Sequence, residues 1–96
     1  MAELLDAKDK ASSLLQLQQT NPDWRIDQTG LKNAWVFKNF EQAVEFMNRV
    51  AAVAQAMDHH PDWSQSYNQV SMRLHSHDAG GVTPRDVELA RRINAL

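Results

Sequence analysis

Cysteine is absent from the 96 residues, and its absence removes disulfides, thiolate zinc sites and cysteine nucleophiles together. Glycine and proline number three each, and no glycine-rich phosphate-binding loop is formed from them. Charge of one sign is missing as well: 12 acidic and 10 basic residues are scattered along the chain for a formal net charge of −2. No concentrated basic field exists to attract phosphate backbones, so direct nucleic-acid binding is not expected. Mean hydropathy is −0.55, too polar for a membrane span, and Met1 to Asp6 lacks the apolar run and basic flank of a secretory signal. With 43% hydrophobic residues the chain is ordinary globular material. The expectation is a single cytoplasmic domain over residues 1–96, with room for one core and one cleft and no membrane association.

What is present is regular patterning. Ala7, Ala11, Leu14, Leu15 and Leu17 repeat at helical spacing behind a possible Asp6 cap, and the pattern ends near Asn21-Pro22. Trp24 and Ile26, a turn at Asp27-Gln28-Thr29-Gly30, and alternation through Leu31, Asn33, Trp35 and Phe37 predict a hairpin. Asn39 to Gln42 has the form of a capping box. Behind it Ala43, Met47, Val50, Ala54 and Met57 mark a long amphipathic helix, its apolar face widened by Val44, Phe46, Ala51 and Val53. Pro61 disfavours helical geometry at His60, so this helix must finish near His59. Residues 63–66 and 69–77 read as two further strands joined at Tyr67-Asn68, with Val70, Met72 and Leu74 on one side and Ser71, Arg73, His75 and His77 on the other. Gly80-Gly81 ends the second. Thr83-Pro84-Arg85-Asp86 then opens a terminal helix carried by Val87, Leu89, Ala90, Ile93 and Leu96.

All four histidines fall between positions 59 and 77. Imidazole, with an unperturbed pKa of about 6.5, both gives and takes protons near neutrality, so the concentration points to acid–base chemistry. The set is His59, His60 and Pro61, then Tyr67 after five intervening residues, His77 after nine more and Asp86 after eight more. In this set the chain closely resembles the pterin-4a-carbinolamine dehydratase family, whose signature is a His-His-Pro followed by an aromatic residue, a histidine and an aspartate at these spacings. The Phe37-Lys38-Asn39-Phe40 stretch, Phe46-Met47, Arg49-Val50-Ala51, Gly80-Gly81 and Arg85-Asp86 extend the likeness over residues 24–96. One position departs: family members usually carry an ionisable residue, most often glutamate, four residues before the first histidine, where this chain has Gln55.

The resemblance implies an α+β fold of order α-β-β-α-β-β-α, a four-stranded antiparallel sheet with helices packed on one face, assembled as a homodimer or homotetramer. It implies loss of water from a 4a-hydroxytetrahydropterin by acid–base histidines, with no cofactor and no metal. His59, His60 and His77 match the catalytic positions, His60 also helping to hold the pterin, and Asp86, Gln55, Pro61 and Trp63 match substrate-binding or orienting ones. Asp86 either orients a histidine or serves only as the acid of the Thr83 capping box. Trp63 and Tyr67 either stack on the pterin or pack in the core or an interface. His75 matches no signature position and is expected at the rim, and a zinc site made from the His-x-His and His-His pairs is the disfavoured reading of the same residues. The alternative to an enzyme is a binding or assembly factor with a protein partner, since relatives include a dimerisation partner of a homeodomain transcription factor and a Rubisco assembly factor.

Overall fold

The computed structural model describes residues 3–96. Its first helix, α1 (Ala7–Thr20), starts where the Asp6 carboxylate accepts the Asp9 backbone N–H at 2.8 Å and stops at Asn21, ahead of Pro22. Leu17 is buried while Leu15 points to solvent, so α1 lies on the core with a narrow stripe. Strands β1 (Arg25–Asp27) and β2 (Gly30–Val36) form the expected hairpin. Asp27 is its clasp: Oδ1 accepts from the Thr29 hydroxyl at 2.6 Å, the Thr29 N–H at 2.8 Å and the Gly30 N–H at 3.1 Å, and Oδ2 meets Lys32 at 2.9 Å. Those hydrogen bonds, the Thr29 hydroxyl first, hold its carboxyl well below the usual carboxylate range.

Helix α2 (Phe40–Met57) is capped by Asn39, whose side chain accepts the Gln42 N–H. The returning half of the box is displaced, because Gln42 Oε1 takes the N–H of Lys38 rather than that of Asn39. Ala43, Val50 and Ala54 are buried, and Met47, Phe46, Val53 and Met57 pack half-buried around them. Ala51 is exposed, contrary to the wide face expected; it lies about 100° round the helix from Val50.

Strands β3 (Asp62–Ser66) and β4 (Gln69–Leu74) complete an antiparallel sheet of order β1-β2-β4-β3. Leu31, Val70, Met72 and Leu74 face inward with Asn33, whereas Ala34, Val36, Ser64 and Ser71 face out. Helix α3 (Pro84–Asn94) is opened by a complete capping box between Thr83 and Asp86. It is tied to α1 through Asn94, which accepts the Trp24 indole N–H at 2.8 Å and donates to the Leu17 carbonyl at 3.2 Å. Edge-to-face and tilted contacts then run from Trp24 to Trp35 at 5.6 Å, to Phe46 at 4.8 Å and to Phe37 at 5.1 Å.

Two boundaries differ from the sequence reading. Strand β4 ends at Leu74, with only an isolated bridge between Ser76 and Gly81 beyond it, and α3 ends at Asn94, leaving Leu96 47% exposed. The strand alternation nonetheless carries on: Ser76 is buried while His75 is half-buried and His77 exposed.

Candidate active site

The site begins with the way α2 stops. Asp58 adopts the left-handed conformation (φ 50°, ψ 43°) and gives its N–H to the Gln55 carbonyl, while the His59 N–H returns to the Ala54 carbonyl at 3.0 Å. This paired closure is a Schellman motif with aspartate where glycine is the usual residue. It reverses the chain so that His59 folds back into the protein instead of extending the helix. His59 is therefore buried, at 7% exposure, and not part of a polar helix exit.

Its partner is Asp86, itself wholly buried. Oδ1 of Asp86 lies 2.5 Å from His59 Nε2. Oδ2 accepts the Thr83 N–H at 2.9 Å and the Ser76 hydroxyl at 3.0 Å, and Ser76 Oγ is 2.7 Å from Thr83 Oγ1. Each oxygen of Asp86 thus has its own partners, the His59 ring on one and the Thr83 cap with Ser76 on the other. A carboxylate on Nε2 can hold the ring in one orientation and tautomer, with Nδ1 as its remaining nitrogen.

His60 is exposed, with Nε2 3.0 Å from Gln55 Oε1. Helical spacing would put Gln55 under His59, but the left-handed turn at Asp58 carries His59 inward and delivers His60 to Gln55 instead. The four histidines and Pro61 line one cleft of about 360 Å³, with Asp58, Asp62, Asp78 and Arg85 around them. His75 and His77 contact each other edge to face at 4.1 Å between centroids. A larger hollow, about 570 Å³, lies over the outer sheet face among Arg25, Lys32, Ala34, Ser71 and Arg73; it contains no histidine, and all four histidines line the smaller cleft.

Two cleft residues were missed by the sequence reading. Asp62 Oδ2 accepts from Arg73 and from His75, both at 2.7 Å, and these contacts, Arg73 first, hold the carboxyl below its ordinary range. Arg85 donates to Asp78 at 2.8 Å while its buried Nε–H has no partner among the described residues. The register that pairs Asp62 with Arg73 is the signal that finds the first; nothing local marks the second. Trp63, opposite Met72, packs half-buried against the core and does not line the cleft. Tyr67 is 65% exposed in the β3–β4 turn, about 16 Å along the strand from Asp62 at a strand's rise per residue.

A family model described as Pterin 4 alpha carbinolamine dehydratase matches residues 3–96. The chain belongs to that family. A protein of Synechococcus sp. (strain WH7803) named "Putative pterin-4-alpha-carbinolamine dehydratase" is 47% identical over 96 residues, spanning 100% of this chain and 99% of its own length. One of the same name from Afipia carboxidovorans is 41% identical over 98 residues, covering 100% and 94%. Among solved structures, "transcriptional coactivator/pterin dehydratase from Brucella Melitensis" superimposes with a TM-score of 0.89 at 32% identity, covering 97% of each chain. The pterin dehydratase fold is therefore shared along the length of the chain, helix order and antiparallel sheet included.

Proposed function

We propose that this family member catalyses the dehydration of a 4a-hydroxytetrahydropterin to the quinonoid dihydropterin. The observation that carries the reading is the buried His59–Asp86 pair beside His60 and His77 in one cleft. In the reaction the C4a–O bond breaks and its oxygen leaves as water, while the N5–H bond electrons form the new N5=C4a double bond. One imidazole protonates the departing hydroxyl and a second takes the N5 proton, so no net proton is consumed; such proton transfers contribute typically 10²–10⁴-fold each. His59, held by Asp86, and His77 form this acid–base pair. His60, steadied by Gln55, and Pro61 hold the flat heterocycle. The cleft falls within the range of about 300–1,000 Å³ usual for small-molecule sites.

The enzyme is cytoplasmic and a homodimer or homotetramer in this proposal, a state that light scattering on the purified protein reads directly. Exposed Val36, Phe40 and Tyr67, at the end of the sheet where the β3–β4 turn adjoins the start of α2, support an assembled form. The deciding experiment is stopped-flow absorbance of quinonoid product from chemically generated 4a-hydroxytetrahydropterin. Acceleration over the uncatalysed rate is expected. A rate equal to the control would favour the second reading, a protein-binding role, which the uncharged Gln55 and the coactivator name of the Brucella neighbour support.

A further inference from the structure

Beyond Leu74 the strand ladder ends but the alternation of side chains does not, so His75 and His77 stay on the outer face of the sheet with Ser76 turned inward. Asp62 on β3 sits directly opposite Arg73, which makes it the diagonal neighbour of His75, two residues further on. One ligand atom from each of Asp62, His75 and His77 lies within 4.8 Å of the other two. We propose that these three residues bind one divalent transition-metal ion of the imidazole-preferring class, represented by zinc, at the mouth of the cleft.

Two imidazoles and one carboxylate are a donor set that zinc accepts with a fourth position left open. Tetrahedral ligands at about 2.0–2.2 Å from the ion stand roughly 3.5 Å apart. His75 Nε2 and Asp62 Oδ2 are already 2.7 Å from each other, and the exposed His77 ring has room to swing through the remaining distance. Arg73 occupies Asp62 Oδ2, but no hydrogen bond among the described residues reaches Oδ1, so the carboxylate has an oxygen to offer the ion while keeping its guanidinium partner. Hard ions such as magnesium, which favour all-oxygen shells, are excluded by the two imidazoles. Metal on His77 withdraws the lone pair that the dehydratase reading assigns to proton transfer. On that reading, and resting on it, the ion is an inhibitor.

Calorimetric titration with zinc chloride tests the site without reference to catalysis. One ion per chain is expected, and His75→Ala and Asp62→Asn should each weaken it by at least the ~10- to 100-fold that losing even an outer partner costs a metal site. His60→Ala should bind as the parent does. In NMR spectra one equivalent of zinc should shift the His75 and His77 imidazole resonances, a readout that does not depend on any variant folding. Absence of saturable binding would overturn the site, as would an equal loss in His60→Ala, which would move the ion to the His59–His60 side. In the dehydration assay zinc should slow the parent, and His75→Ala should keep its own zinc-free rate. Zinc binding without dehydration would remove the dehydratase reading and leave the metal site standing.

Discussion

His59 and His77 offer the same chemistry from opposite surroundings, one buried on a carboxylate and the other open to solvent. His77→Ala should lower turnover by about 10²-fold and leave stability within about 0.5 kcal/mol. His59→Ala should cost a similar factor in turnover and in addition about 1–3 kcal/mol of stability, because the wholly buried Asp86 Oδ1 loses its partner. Stopped-flow rates and urea midpoints on the same preparations separate the two; equal midpoints would show that the His59–Asp86 contact does nothing for the fold. Gln55→Glu should raise activity two- to fivefold, since a carboxylate on the exposed His60 is worth about 0.3–1 kcal/mol. A fall beyond about tenfold would mean that the cleft is built around the neutral amide. The presence of Gln55 near the site was readable from spacing, whereas its partner was not, because a single left-handed residue at Asp58 decides which histidine meets it.

At the scale of elements, the signals that proved legible were local ones. Asp6, Asn39 and Thr83 each cap the helix that they precede, and Asp27 to Gly30 turns the first hairpin. What spacing does not contain is where a ladder runs out. β4 ends at Leu74 because β2, whose Leu31 pairs with Leu74, begins only one residue earlier at Gly30, and β3 starts opposite Arg73. Gly30 also sits tightly against β4: a Cβ there would stand 2.7 Å from Arg73 Cγ and 2.9 Å from the Leu74 carbonyl oxygen. Arginine can move and the backbone cannot, so Gly30→Ala should cost about 1–3 kcal/mol by overpacking, read as a lower urea midpoint. Asp58→Gly should do the reverse, gaining up to about 1 kcal/mol by relieving a left-handed aspartate. A loss there would show that the Asp58 side chain, on the cleft rim, contributes more than its backbone strain costs.

For the whole molecule, acid is the informative stress. Asp27, Asp62 and Glu88 all titrate below their ordinary values, held down respectively by Thr29 and Lys32, by Arg73 and His75, and by Arg92 and Arg91. A carboxylate with a folded pKa below its unfolded one stabilises the fold fully above the unfolded value, about 4, and loses that contribution as pH falls through the folded value. Urea midpoints should therefore decline below about pH 4. Asp27→Asn keeps an acceptor for Thr29 and Gly30 but has no proton to gain, so its decline between about pH 4 and 2 should be shallower; an identical slope would mean that the clasp is neutral in its effect. The order of elements was legible at this scale, while the histidine that meets Asp86 was not, because His59 is 27 residues away and only the packing of α3 against α2 brings the two together. That shared carboxylate joins two events that are usually separate. Release of the His59 ring and loosening of the first turn of α3 meet at one group, because the two oxygens of Asp86 hold the ring and pin the Thr83 N–H. Deuterium uptake at the amides of Thr83 and its neighbours should then rise in His59→Ala, reporting the loss of the ring from the far side of the aspartate with no substrate present.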